Sequence, residues 1–171
     1  AVASLLIQEG FIKQGLTIVK NVYDRYQQAG LTWNHIECGG HYYRAMDVWA
    51  VLTELGGLDY NAVERSLAFE PRMNEDDFKS VYVLPTAWGI VTQSQLPASQ
   101  SDMIEVDEGN LTISKLLIRT PLGKPDVKLQ KGSAKIAVKQ IKQERGCLEI
   151  ELKETTNIRA GETLQIKINS L

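Results

Sequence analysis

Leu111-Thr-Ile-Ser-Lys-Leu-Leu-Ile118 and Thr163-Leu-Gln-Ile-Lys-Ile168 alternate apolar with polar side chains. Because successive side chains of a strand point to opposite faces, each segment predicts a half-buried antiparallel strand. Lys135–Lys139 and Cys147–Leu152 follow the same pattern. Glycines occupy the predicted turns at Gly132, Gly146 and Gly161. The C-terminal part of the chain is therefore predicted to form a small antiparallel sheet or sandwich.

The first 60 residues instead carry apolar side chains at three- and four-residue spacing, which is typical of helices. One predicted helix ends at Glu9-Gly10, and a second ends near Ala29-Gly30. A third begins around His41 or Tyr42. It ends at Gly56-Gly57, because glycine readily adopts the left-handed conformation that closes a helix. Two further strands are predicted over Val81–Leu84 and Trp88–Thr92.

The character of the chain changes near Pro97. Residues 1–97 carry 7 basic and 11 acidic side chains, a net charge of −4, whereas residues 98–171 carry 12 and 10, a net charge of +2. The segment Gln93–Asp102 is polar and lacks a strong pattern, as linkers and surface loops do. We therefore predict an α+β chain with a helical domain over 1–97 and a β-rich segment over 98–171.

Composition excludes several classes of function. The 171 residues are 43% apolar, enough to bury a core. A net charge of −2 without a stripe of Lys and Arg argues against a nucleic-acid partner. No apolar run reaches the length of a membrane helix, so no membrane partner is expected. Cys38 and Cys147 are too far apart in sequence to indicate a zinc motif or a disulfide framework.

The candidate site is the segment Trp33-Asn-His-Ile-Glu-Cys-Gly-Gly-His-Tyr-Tyr-Arg-Ala-Met46, in which aromatic and titratable side chains surround a glycine pair. Trp33 supplies a flat apolar face, while His35 and Arg44 supply hydrogen-bond donors and charge. This mixture suits a polyhydroxylated ligand such as a sugar, which presents both C–H faces and hydroxyl groups.

The same segment resembles a known enzyme family when it is taken with the motifs that follow it in order. These motifs are Trp49–Leu52, Leu67–Arg72, Asp77-Phe78 and Ala87–Gly89. Together they are similar to the C-terminal end of glycoside hydrolase family 116, which includes bacterial β-glucosidases and the animal non-lysosomal glucosylceramidase. The resemblance covers roughly residues 1–95. It implies that the N-terminal part consists of the last helices of an (α/α)6 barrel.

The resemblance also implies which part of the protein supplies the catalytic groups and which part binds the sugar. Retaining glycosidases use two carboxyl groups, and in this family both come from segments upstream of the motif, so no catalytic residue is expected in this chain. Arg44 matches an Arg that is thought to contact sugar hydroxyls. His35 stands where the family has Glu, and Gly40 where it has Asp. The resemblance thus implies substrate binding by Arg44, with His35 and Trp33 beside it, and no cofactor.

Simpler roles remain open for these residues. Arg44 could pair with Asp47 or Glu37 at the helix start, and His35 with His41 makes a poor metal pair because no third ligand accompanies them. By its spacing Trp49 is expected in a helical core, and Trp88 is expected to pack beneath the sheet. The Lys-rich run from 124 to 142 is expected to be the solvated face of strands.

Three functions fit this sequence. The chain is predicted to be the C-terminal portion of a β-glucosidase-like hydrolase that supplies part of the sugar subsite and is inactive alone. Its partners would then be a β-glycoside and the missing N-terminal part of the same protein, and its exposed apolar helix faces would favour self-association. The alternatives are a stand-alone carbohydrate-binding or degenerate module, and a structural or interaction domain.

Overall fold

The computed structural model describes residues 1–31 and 47–170. Within these ranges the chain forms three helices, which are α1 Val2–Gln8, α2 Ile12–Gln28 and α3 Asp47–Gly56. Ten strands follow in the same ranges: β1 Leu58–Asn61, β2 Ser66–Phe69, β3 Asp77–Val83, β4 Ala87–Leu96, β5 Ser99–Arg119, β6 Pro125–Lys131, β7 Ala134–Ile136, β8 Val138–Glu144, β9 Cys147–Arg159 and β10 Thr163–Ser170. By contacts the chain divides into a helical unit, residues 1–55, and a β unit, residues 56–171.

The predicted fold class was wrong. The protein is mostly a mixed β-sheet, and its few helices do not make the N-terminal 97 residues a piece of an (α/α)6 barrel. Strands begin at Leu58 and continue through the segment that the resemblance assigned to a helical domain. The reason is long-range pairing: β2 is only four residues long, yet it joins the sheet beside Lys115–Ile118 of β5. A four-residue strand carries too little pattern to reveal such a partner.

Several local predictions agree with the structure. The helix ends near Gly10 and Gly30 and the strands around residues 81–84 and 88–92 lie where the pattern placed them. Residues 93–102, which look like a polar linker in sequence, instead form the end of β4, the turn at Pro97-Ala98 and the start of β5. The division into domains at residue 97 stays a prediction.

The β unit is built around β5, which is 21 residues long. Its first half pairs with β4 and β10, and its second half pairs with β2 and β9. The pairing of β2 with β5 is parallel, whereas the other strand pairs of the described chain are antiparallel. The front layer therefore runs β3-β4-β5-β10-β6-β7, and the back layer runs β1-β2-β5-β9-β8.

The two layers enclose one apolar core. Phe69 of the back layer and Phe78 of the front layer pack in a tilted arrangement, with ring centroids 6.1 Å apart and ring planes inclined at 51°. Both layers supply fully buried side chains, including Ile104, Leu116, Leu148, Ile150, Leu164 and Ile166. The burial alternates along each strand, so the period-two pattern of the sequence marks the face that points into this core.

The helical unit has a much smaller core. Ala3, Ile7 and Val51 are its buried apolar residues among those described, and they bring α1 and α3 together. Gly15 lets α2 approach α1 closely, because a Cβ atom there would lie 2.6 Å from Ile7 Cγ1 and 2.7 Å from the Ala3 carbonyl oxygen. Many other apolar side chains of this unit face solvent, among them Val2, Leu5, Phe11, Tyr23 and Val48.

The positions predicted for two tryptophans were wrong. Trp49 is 58% exposed, because the inward face of α3 is the one that carries Val51. Trp88 is 50% exposed, because the inward series of β4 runs through Ala87, Gly89 and Val91 and leaves Trp88 on the outer face.

Candidate functional site

The predicted sugar-binding residues Trp33, His35 and Arg44 lie outside the described residues. In sequence they fall between α2, which ends at Gln28, and α3, which begins at Asp47. Their role in binding stays a prediction, as does the pairing of Arg44 with Glu37 or Asp47.

The described chain contains a different candidate site, a cluster of buried polar side chains at one end of the front layer. Gln93 of β4 and Gln100 and Asp102 of β5 are 4%, 2% and 0% exposed. Gln93 and Asp102 are direct partners across the β4–β5 ladder. We call these three residues the polar cluster. Buried polar groups need hydrogen-bond partners, so the geometry of these side chains determines the cost of burying them.

The amide nitrogen of Gln100 lies at the centre of the polar cluster. Its Nε2 donates to Asp102 Oδ2 at 3.0 Å and Oδ1 at 3.2 Å, to Gln93 Oε1 at 3.2 Å and to the Arg119 carbonyl oxygen at 3.0 Å. Gln93 Nε2 donates in turn to the Glu75 carbonyl oxygen at 2.9 Å. The cluster therefore joins the segment before β3 to the β4–β5 hairpin and to the end of β5.

Asp102 is the buried carboxyl group of the described chain. Burial raises its pKa to about 7, and the hydrogen bond from Gln100 lowers it by less. The carboxyl group can therefore gain or lose a proton near neutral pH, unlike an ordinary Asp, which is ionised there.

The polar cluster was missed in the sequence because its segment lacks an apolar pattern. The signal that could have revealed it is the continuation of the period-two series. Gln93 extends the inward series of β4 beyond Val91, and Asp102 precedes Ile104 on the inward side of β5. A polar residue that continues the inward-facing series of a strand indicates a buried polar site rather than a linker.

The Lys-rich part of the β unit faces solvent, as the sequence predicts. Lys139 Nζ binds Glu151 Oε1 at 2.7 Å, and Lys115 and Lys142 both lie 3.9 Å from Glu149 Oε1. The hydrogen bond from Lys139 lowers the pKa of Glu151. Lys115, Lys139 and Lys142 are therefore paired with acids on this surface.

Cys147 has a free thiol and is the partner of Arg119 in the β5–β9 ladder. Burial raises the pKa of this thiol, with a further contribution from the negative charge of Glu70, and Arg119 only partly offsets these effects. A thiol with a raised pKa stays protonated at neutral pH and is a poor nucleophile. These surroundings therefore favour the protonated thiol of Cys147.

Residues 1–31 and 47–170 contain neither a metal-binding cluster nor a membrane-spanning helix. No three His, Cys, Asp or Glu side chains of these residues are grouped closely enough to hold a metal ion. None of the helices in the same ranges combines the length and the apolar character that spanning a bilayer requires.

Comparisons with known proteins show only distant similarity. No protein-family model matches the chain, and no curated protein matches it. Among solved structures, the chain is similar to the alpha-L-rhamnosidase from Dictyoglumus thermophilum, with a TM-score of 0.42 and 11% sequence identity. The match covers 73% of this chain and 13% of the rhamnosidase, so the chain spans a small part of that protein's length.

Proposed function

We propose that this chain is a portion of a β-glucosidase-like glycoside hydrolase and that it contributes part of the sugar-binding subsite. The observation that carries this proposal is the segment Asn34–Met46, which resembles glycoside hydrolase family 116. In the proposal, Arg44 donates hydrogen bonds to sugar hydroxyls, His35 donates one and accepts another, and Trp33 stacks on the sugar ring. The two catalytic carboxyl groups come from a segment outside this chain.

The exposed apolar side chains of the helical unit support the proposal that another part of the protein covers them. Leu5, Phe11 and Trp49 are 56%, 53% and 58% exposed, although each is a large apolar side chain. Large apolar side chains that stay exposed are typical of protein contact sites when they lie together. We assign the covering role to the remaining part of the same hydrolase, which would also supply the catalytic acids.

Sugar binding by the 171-residue chain is the direct test. Isothermal titration with glucose, xylose and their β-linked oligomers should give measurable binding for the native sequence. Arg44→Ala should weaken it about tenfold or more, because a charged hydrogen bond contributes roughly 1.5–3 kcal/mol. The matched control is Arg25→Ala, since Arg25 lies on the exposed side of α2 and bonds only locally to the Asn21 carbonyl oxygen in the described contacts.

Two outcomes would overturn the proposal. Binding that is equal in the native chain and in Arg44→Ala would remove Arg44 from the subsite, and absence of binding for every sugar would remove the subsite itself. The chain alone should not cleave an aryl β-glucoside, because it holds neither catalytic carboxyl group in this assignment. Turnover by the purified chain that survives further purification would therefore place the chemistry inside these residues.

A stand-alone carbohydrate-binding or degenerate module is the second candidate. The observation that favours it is the complete core of the β unit, in which residues of both layers are fully buried. The two candidates differ in oligomeric state. Sedimentation should show concentration-dependent self-association if the helical unit needs a covering partner, whereas a monomer that binds sugar would favour the module.

A further inference from the structure

Among the described residues, the polar cluster has fewer hydrogen-bond donors than acceptors when Asp102 is ionised. Gln100 Nε2 carries two N–H groups, but four oxygen atoms lie within 3.2 Å of it: two of Asp102, one of Gln93 and the carbonyl oxygen of Arg119. The amide nitrogen of Gln93 does not relieve this shortage, because it donates to the Glu75 carbonyl oxygen. An ionised carboxylate would thus be buried with too few hydrogen bonds.

A proton on Asp102 corrects this shortage. The carboxyl O–H becomes a third donor among the same oxygens, and the negative charge disappears from a site that is 0% exposed. Burying an unpaired charge is strongly unfavourable, whereas burying a neutral carboxyl group with hydrogen-bond partners costs far less. The hydrogen-bond geometry and the burial therefore both favour the protonated form.

The causes of the raised pKa of Asp102 are burial and the opposing hydrogen bond from Gln100, and no charge of a described residue is among them. From β10, Asp102 is paired with Ile166, which lies between the fully buried Leu164 and Ile168. From β4 it is paired with the neutral Gln93. Arg119 contributes its carbonyl oxygen to the cluster, while its guanidinium Nε binds Glu70 Oε1 at 3.3 Å. The acidic residues before β3 offer the cluster only the backbone oxygen of Glu75.

We propose that Asp102 is the proton-binding group of a pH-sensitive latch. In this latch the protonated carboxyl group holds residues 74–76, the β4–β5 hairpin and the end of β5 together. When the pH rises, the proton leaves for solvent and the ionised carboxylate loosens these contacts. The first contacts to weaken are the backbone hydrogen bonds beside the cluster, which run from Gln95 N to the Asp76 oxygen at 3.2 Å and from Asp77 N to the Asn74 oxygen at 3.0 Å.

The sign of the pH dependence follows from linkage. The pKa of Asp102 is about 7 in the folded chain, against an ordinary value of 3.8, so the folded state binds more protons than the unfolded state between these values. Stability from this group is complete below pH 4 and is lost as the pH rises through 7. Between pH 5.5 and 8.5 the unfolding equilibrium constant should therefore increase roughly 30-fold through Asp102 alone.

Denaturant unfolding at pH 5.5 and 8.5 tests the proposal on the whole chain. In the native sequence the unfolding equilibrium constant should increase roughly 30-fold between these two pH values. Asp102→Asn keeps the shape of the side chain and adds an N–H donor, so its unfolding equilibrium constant should change little. Asp107→Asn is the matched control, because Asp107 lies on the exposed part of the same strand. It should keep the native pH dependence. Equal pH dependence in Asp102→Asn and the native chain would overturn the proposal.

Two measurements on the native chain keep the test independent of the folding of any variant. A carboxyl carbon titration by NMR should place the Asp102 midpoint near 7, and a midpoint near 4 would overturn the proposal. Hydrogen-exchange protection factors of the Gln95 and Asp77 amides should fall between pH 6 and 8. The amide of Ser114, bound to the Arg65 oxygen at 2.8 Å on the other half of β5, should change less. An equal loss at all three amides would exclude a local latch.

Discussion

The helical unit leaves many of its large apolar side chains exposed, whereas the β unit buries many of its own. In the β unit, leucines and isoleucines of both layers are completely buried, as Leu116 illustrates. In the helical unit, large apolar side chains such as Leu5 and Trp49 remain more than half exposed. Both units contain the periodic patterns that secondary structure requires, but only a layered sheet covers its apolar face with another part of itself. The comparison shows that a regular pattern indicates an element without indicating what buries it.

The largest effect expected from this contrast comes from removing equal side chains in the two units. Leu116→Ala should lower the free energy of unfolding of the β unit by about 2–5 kcal/mol, because it leaves a cavity at a site that is 0% exposed. Leu5→Ala should change stability by only about 0.5 kcal/mol, because Leu5 is 56% exposed. Hydrogen exchange of the amides in each unit measures both changes. Equal losses would show that the helical unit is buried as deeply as the β unit.

A second experiment tests the close contact inside the helical unit. Gly15→Ala should destabilise the helical unit by about 1–3 kcal/mol, since the added Cβ would meet Ile7 and the Ala3 backbone. In an exposed helix the same change should instead stabilise by about 1 kcal/mol. Gln14→Ala, on the exposed side of α2, is the control and should not destabilise. Thermal unfolding followed by the helical circular dichroism signal measures the difference, and stabilisation by Gly15→Ala would show that α1 and α2 do not pack closely.

The smallest effect concerns one tyrosine hydroxyl in each unit. Tyr82 is 5% exposed, and its hydroxyl group donates to the Glu105 carbonyl oxygen at 2.9 Å. Tyr82→Phe should therefore cost about 1 kcal/mol in denaturant unfolding. Tyr23→Phe should be neutral because Tyr23 is 61% exposed. A neutral result for Tyr82→Phe would show that solvent replaces this hydrogen bond without cost.

The sequence predicted local structure better than the fold. The ends of α1 and α2 were predictable because Gly10 and Gly30 have positive φ angles, +84° and +69°, which glycine adopts without strain. The strands around Val81 and Trp88 were predictable from apolar runs. The fold class was not, because the resemblance extended a helical domain over residues whose strand partners lie far along the chain, as Ser66 pairs with Lys115.

The two candidate sites also differ in how far the sequence could predict them. The sugar-binding assignment of Trp33, His35 and Arg44 depends on residue types and motif order, so the sequence could suggest it, and it stays a prediction. The polar cluster was missed, because Gln93 and Asp102 lie in a polar segment and only their continuation of the alternating series distinguishes them from surface residues. Their burial becomes visible only when β4 and β5 are paired and the inward face is known.

The sequence by itself determined where α1 and α2 end and that strands lie around Val81 and Trp88, because capping, turns and side-chain periodicity act over a few neighbouring residues. Tertiary structure alone decided that β5 joins two layers, that Trp88 faces outward and that Asp102 is sealed in the core. These properties depend on which distant segments pair with one another. The pKa of Asp102 follows from them, since a carboxyl group titrates according to the water and the hydrogen-bond donors that the assembled layers leave around it.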